Sequence, residues 1–184
     1  MNILTFDLED WFHILDNQQT NNRKSWDLLP SRVESMTEIL LDLLSEKNQR
    51  ATFFVLGYIA KRHPDLIRKI SAAGHEIASH GDQHQLVYDQ SREQFEWDIN
   101  CSIDAINDAC GIVPKSYRAP GFSIKDNNFW ALDILHRLGI EVDCSIFPAK
   151  RQHGGIQNFA FSTPFRYQLK NGETMMCFPL NTAT

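Results

Sequence analysis

The sequence predicts an α/β protein built on a parallel sheet or barrel, and three observations carry that expectation. Arg50-Ala51-Thr52-Phe53-Phe54-Val55-Leu56-Gly57 is a continuous β-rich apolar run, the pattern of a parallel strand covered on both faces. Strand-like and helix-like stretches alternate along residues 2–145, as right-handed βαβ units require. Acids follow the first of these strands and histidines the third, so reactive residues collect at strand exits, where α/β proteins build their sites.

Asn2-Ile3-Leu4-Thr5-Phe6-Asp7 reads as a buried first strand, with Asp7, Glu9 and Asp10 at its exit. Trp11 to Pro30 is polar, rich in Asn and Gln around residues 18–22, and aperiodic, which predicts a long loop of the kind that serves as a lid. Ser31-Arg32-Val33-Glu34 has the capping-box pattern, and Val33, Met36, Leu40, Leu43 and Leu44 share one helical face, so a helix is expected from about Ser31 to Lys47. Pro64 opens a second helix that carries Leu66, Ile67 and Ile70 and closes at Gly74, before a third strand at residues 74–79. Ser91-Arg92-Glu93-Gln94 is another capping box; Phe95, Ile99, Ile103 and Ile106 form the stripe of a helix that Gly111 ends. A strand at residues 115–122 runs into a Pro-Gly turn, and a helix at 127–138 precedes a short strand at 140–145. Beyond Ala149 the pattern loosens to two strands, at 159–167 and 174–180, around a turn at Lys170-Asn171-Gly172-Glu173.

The chain has 184 residues, 42% of them hydrophobic and 22% charged, enough for one globular domain with a core. Its net charge of −5 and the lack of basic clusters interleaved with aromatics argue against nucleic acid and anionic membrane surfaces as partners. Met1 leads straight into the first strand without a basic or apolar leader, and no run approaches a membrane span, so the expectation is a cytoplasmic protein. Cys101, Cys110, Cys144 and Cys177 lack the spacing of a metal cluster or a disulfide framework.

The chemistry centres on Glu76-Ile77-Ala78-Ser79-His80-Gly81-Asp82-Gln83-His84. On a helical turn, side chains four apart share a face at roughly 6 Å, close enough for His80 and His84 to hold one cation, with a third ligand from elsewhere. In a parallel sheet Asp7, Glu9 and Asp10 exit at the same rim, and a carboxylate with two histidines leaves positions open for water and substrate. Arg118 exits a later strand, where it can keep a carboxylate ionised, and the Gly121 N–H can face a developing oxyanion. His13, His63, His75, His136 and His153 read as ordinary packed or solvated histidines, although the flexible loop His153-Gly154-Gly155 can touch substrate. Trp11, Phe12 and Phe122 can line a sugar-sized groove.

Thr5-Phe6-Asp7, Ser79-His80-Gly81-Asp82-Gln83-His84 and Arg118-Ala119-Pro120 resemble, in order, the first three motifs of the NodB-type polysaccharide deacetylases, carbohydrate esterase family four. Asp7-Leu8-Glu9-Asp10-Trp11-Phe12, residues 138–148 and His153-Gly154-Gly155 resemble the subgroup encoded with bacterial exopolysaccharide genes, so the likeness covers nearly the whole chain. The resemblance implies a distorted (β/α)7-type barrel that hydrolyses N-acetyl groups of a glycan with one divalent metal, expected to be zinc. It implies Asp7 as catalytic base, His80 and His84 as metal ligands, Arg118 as the arginine that orients the base, and the Gly121 N–H at the oxyanion. Leu8 stands where the family has a second Asp. The metal carboxylate is therefore Glu9, which shares strand parity with Asp7, or else Asp10. Trp11, Phe122 and His153 fall on the substrate side.

The family's general-acid histidine lies in a later motif with no match here. The expectation is one domain over residues 1–184 that lacks its C-terminal part, with an open edge that self-associates or meets a partner chain, and with weak or no deacetylase activity. Two other readings stay open: a remnant of the fold that binds metal or glycan without turnover, and a relative that hydrolyses cyclic amides or ureides.

Overall fold

A computed structural model of the chain describes residues 3–20 and 22–181. Asn2 of the expected first strand, Asn21 of the polar stretch and residues 182–184 lie outside the described residues. The strands are β1 (Leu4–Leu8), β2 (Ala51–Val55), β3 (Glu76–Ser79), β4 (Ser116–Tyr117), β5 (Val142–Asp143), β6 (Phe165–Gln168) and β7 (Thr174–Cys177). The helices are α1 (Val33–Glu46), α2 (Gly57–Arg62), α3 (Pro64–Ala72), α4 (Arg92–Cys110) and α5 (Trp130–Arg137). All seven strands form one sheet in the order β1-β2-β3-β4-β5-β7-β6, parallel except for the β6–β7 hairpin. The expected α/β architecture with a mostly parallel sheet is what forms.

Register explains where the chemistry collects. Leu8, Val55, Ser79, Tyr117, Asp143 and Cys177 are paired in turn and make one row across six strands. Glu9, His80 and Arg118 are each one residue past that row, and Asp7 is one residue before it. Because side chains alternate along a strand, these four point to the same face of the sheet at its carboxyl rim. The row itself points the other way, where Leu8, Val55, Phe53 and Ile77 pack with Ile59, Leu66, Ile67 and Ile106 from the helices. A second core gathers Phe95 and Ile99 of α4, Leu132 and Leu135 of α5, and Met175 and Cys177 of β7.

Several local expectations change in the structure. The strands expected at 115–122 and 140–145 contract to two residues each. Pro120, which has no N–H for a ladder, opens a 3₁₀ turn with Gly121 at φ 60°. Helix α2 begins at Gly57, which sequence reading placed at the end of a strand. A Cβ there would lie 2.5 Å from Asp82 Oδ1 and 2.9 Å from the Ser102 Cα, so only glycine lets α2 and α4 approach this closely. The expected capping box at Ser31 is absent: Arg32 is the N-cap of α1 and makes no side-chain cap bond. At Ser91 the box forms as expected, with Gln94 closing it and Gly111 ending α4 in the left-handed region. On either side of Asn21, two 3₁₀ turns, Trp11–His13 and Arg23–Leu28, bury Phe12, His13 and Trp26.

Candidate functional site

Asp7, Glu9, His80 and Arg118 arrive at the rim from β1, β3 and β4, and His84 arrives from the loop after β3. That loop is not helical, so the helical face assumed for the histidine pair does not exist. Instead Gly81 (φ 77°) and His84 (φ 54°) take left-handed backbone that doubles the chain back, and the two imidazole centroids come within 5.2 Å. A buried carboxylate shapes the turn: Asp98 of α4 accepts from the backbone N–H of Asp82 (2.8 Å) and of Gln83 (2.9 Å). Burial pushes the Asp98 carboxyl up to about 6, against the pull of those two N–H groups. Asp82, itself buried, accepts from Arg23 and from Lys61 at 2.9 and 3.0 Å, which ties the 11–30 stretch to the histidine loop.

One ligand atom from each of Glu9, His80 and His84 lies within 4.8 Å of the other two. His80 is buried, and desolvation lowers its basicity despite the nearby Asp7. Its Nδ1 sits 2.7 Å from the Arg118 carbonyl oxygen. A carbonyl accepts only, so the proton is on Nδ1 and the Nε2 lone pair faces the rim. Glu9 Oε2 is 2.9 Å from His84 Nε2. Yet that oxygen is buried without a directed hydrogen bond, so the contact is close but points the wrong way. An orphaned buried carboxylate oxygen beside two imidazoles fits a divalent cation, and the N, N, O donor set suits zinc and its neighbours.

Asp10 is placed elsewhere. Its carboxylate accepts from Trp11 N, from Arg32 N at 3.1 and 3.0 Å and from Val33 N at 3.3 Å, and Ser31 Oγ donates to it at 2.5 Å. It therefore caps the start of α1 from a distant segment, the work sequence reading gave to Ser31. Of the two acids left open for the metal, the structure brings Glu9 and not Asp10 to the histidines.

Asp7 Oδ1 accepts from Arg118 Nη1 at 2.8 Å, and its Oδ2 is 4.0 Å from His80 Nε2. The guanidinium is fixed on every side: Nη2 donates to Thr5 Oγ1, Nε donates to the Cys144 carbonyl, and the Phe54 ring lies 4.1 Å from Cζ. Gly121 takes its left-handed turn where a Cβ would lie 2.9 Å from atoms of His153, Leu15 and Leu86. Phe122 stands next to Arg118, its ring 5.6 Å from Cζ. His153 leans on Gly121 and pairs with Asp16 at 2.8 Å. Of the other aromatics, Phe12 is packed among His13, Trp26 and Tyr58, so it is core and not groove. The Trp11 indole donates to the Pro30 carbonyl, and its ring remains partly exposed.

Three groups near the site escaped the sequence. Asp98 shares the α4 stripe of Phe95 and Ser102, and an acid on an apolar face was the signal available. Asp143 is fully buried on β5 and raised to about 6 by desolvation, although the Ser145 backbone and hydroxyl and Arg118 pull it down. His13, read as ordinary, is buried with its ring 6.1 Å from His84 and is depressed to about 3, first by burial and then by His84.

The family model for polysaccharide deacetylase matches residues 18–142. A chitooligosaccharide deacetylase of Rhizobium leguminosarum bv. trifolii is 37% identical over 98 residues, 53% of this chain and 43% of the relative. A crystal structure of a Mycobacterium smegmatis protein assigned to the polysaccharide deacetylases superposes with a TM-score of 0.75 at 25% identity, over 97% of this chain and 58% of that one. A family 4 carbohydrate esterase from Streptomyces lividans, in complex with acetate, gives 0.59 at 25% identity over 77% and 60%. The chain thus spans about half the length of the relatives it matches. The matched segment holds the histidine loop and Arg118 and covers more than half the chain: the chain belongs to the polysaccharide deacetylase family.

Proposed function

We propose that the chain is a metal-dependent hydrolase that removes N-acetyl groups from the acetamido sugars of a polysaccharide or oligosaccharide. The observation that carries this is the convergence of the Arg118-held Asp7 carboxylate with the Glu9, His80 and His84 cluster at one rim. Glu9, His80 and His84 would hold the ion, which we expect to be zinc. When bound, such an ion polarises the acetamide carbonyl and makes its water a better nucleophile at neutral pH. Asp7 takes the proton of the attacking water, because its Oδ2 is the carboxylate oxygen that Arg118 leaves free beside His80, and that proton leaves with the amine nitrogen when the C–N bond breaks. Arg118 keeps Asp7 oriented, and because its bonds to Thr5 and Cys144 are already made it needs no reorganisation when the proton moves. The Gly121 N–H donates to the oxygen on which charge develops, and Phe122 and His153 flank the sugar.

The match of Asp7-Leu8-Glu9-Asp10-Trp11-Phe12 supports the subgroup associated with exopolysaccharide genes, since Glu9, and not a second Asp adjacent to Asp7, joins the histidines. We also place a second copy or a partner chain against a sheet edge. Strand β6 is one such edge, and Phe161, exposed and stacked on Phe165 at 4.5 Å, stands beside it. No helix among the described residues is long and apolar enough to cross a membrane.

The test is acetate release from N-acetylglucosamine oligomers by chelator-treated protein, before and after zinc is restored. Release that needs zinc supports the proposal. Zinc binding without release would leave the metal-binding remnant as the correct reading.

A further inference from the structure

We propose that the cavity beside Gly121 is a subsite for an anionic sugar, so that the acetamido residue acted on is flanked in the substrate by a carboxylate- or phosphate-bearing unit. The inference rests on the deacetylase reading above and names the class of glycan it takes.

The cavity, of about 650 Å³, is lined by Gly121, Phe122, Lys150, Arg151, Gln152 and His153. That volume accommodates one or two sugar rings, and it opens from the turn where the oxyanion is placed. Its walls carry two cations whose charge is not taken up inside the protein. Neither Lys150 nor Arg151 is ion-paired among the described residues, whereas in the cavity lined by Arg23, Lys61 and Arg62 the first two are paired with Asp82 and Arg62 donates to the Trp26 and Leu29 carbonyls. The nearby acid, Asp16, is already occupied: His153 Nε2 and Gln152 Nε2 both reach its Oδ2, at 2.8 and 2.7 Å.

Arg151 is also held in place. The Arg151 guanidinium lies 4.6 Å from the Phe147 ring, and Phe147 packs edge-on against Phe122 at 5.4 Å. Arg151 is therefore propped on the aromatic pair that borders Arg118, which reduces the entropy it loses on meeting an anion. The loop is bonded back to the rim: Gly155 N donates to the Phe122 carbonyl, Arg151 N to the Gly154 carbonyl and Ile156 N to the Phe147 carbonyl. A Cβ on Gly154 would lie 1.9 Å from the Phe122 carbonyl oxygen, so glycine is what allows the loop to sit this tightly on the site. In a chain of net charge −5, these two cations give the mouth of this cavity a local charge that favours an incoming anion.

The experiment measures binding by calorimetry, with zinc-loaded full chain and two probes of equal length. One is a neutral N-acetylglucosamine tetramer and the other a tetrasaccharide of alternating N-acetylglucosamine and glucuronate. The acidic probe is expected to bind about tenfold more tightly at low ionic strength, the factor of one charge-assisted hydrogen bond. Added salt should shrink that advantage, because the site is open to solvent. Lys150→Glu with Arg151→Glu should remove it, Lys150→Gln should reduce it, and the remote control pair Lys47→Glu with Lys170→Glu should keep it. Competition by inorganic phosphate would assign the site to phosphate-bearing glycans, and its absence to uronates. Equal affinities for the two probes, no binding of either, or an advantage that survives the double reversal would each overturn the subsite. Acetate release from the neutral tetramer is scored separately. Preferential binding without release would contradict the hydrolase reading and leave the subsite standing.

Discussion

His80 Nδ1 donates to the carbonyl oxygen of Arg118 at 2.7 Å, and the side chain of the same arginine grips Asp7 at 2.8 Å. One residue therefore sets the tautomer of an imidazole through its backbone and the orientation of a carboxylate through its guanidinium. The two effects are separable. Arg118→Leu keeps the carbonyl, so zinc stoichiometry should be retained while kcat/KM for acetate release falls by about a hundredfold or more. Loss of zinc in that variant would show that the guanidinium supports the histidine side as well.

Glu9 and Asp10 are neighbours with different surroundings, and substitution should tell them apart. Glu9→Gln should weaken zinc binding by more than the ten- to hundredfold that outer-shell changes cause. Asp10→Asn should leave zinc in place and lower stability by about 1–2 kcal/mol, the cost of a helix cap, since its oxygens serve Arg32 N and Val33 N. Zinc titration and urea unfolding on the same two proteins check both halves.

Asp98 makes no hydrogen bond to Glu9, His80 or His84, yet both of its oxygens hold the turn between the two histidines. Asp98→Asn replaces one acceptor by an amide that faces a backbone N–H. Zinc affinity, read by chelator competition, should drop about ten- to hundredfold. An affinity equal to that of the parent protein would mean the loop holds its shape without the carboxylate.

Asp143 predicts a pH dependence of stability. Burial raises its carboxyl from 3.8 to about 6, so between those values the native state keeps a proton that the unfolded chain releases. This group's contribution therefore falls as pH rises from about 4 to 6 and stays low above that. Its Oδ1 is a buried oxygen without a partner, while its Oδ2 accepts from Ser145 N. Asp143→Asn keeps an acceptor for Ser145 N and removes the buried charge. It should be more stable than the parent at pH 7.5, by at most about 2–3 kcal/mol, with a smaller difference at pH 5. A difference that does not change with pH would contradict the assignment.

Much of the fold was legible because its signals are local. The apolar run of β2, the Ser91 capping box and Gly111 each specify their element within a few residues, and all three form as expected. The rim residues were legible because they sit at strand ends, where register carries Glu9, His80 and Arg118 to one face. What escaped depends on contacts far apart in sequence. Asp10 looked like a ligand until Arg32 and Val33 claimed it, and Gly57 looked like a strand end until Asp82 and Ser102 left no room for a side chain. The histidine pair was found by a spacing rule for helices, although a left-handed loop is what joins it.

The division of labour at the rim is tested most directly by Asp7→Asn, assayed for zinc per chain and acetate release beside the parent protein. Asparagine can still accept from Arg118 but cannot take a proton from water. The variant should bind as much zinc as the parent and release no acetate from N-acetylglucosamine oligomers. A variant that lost its zinc, or one that kept its turnover, would contradict the assignment of Asp7 as base.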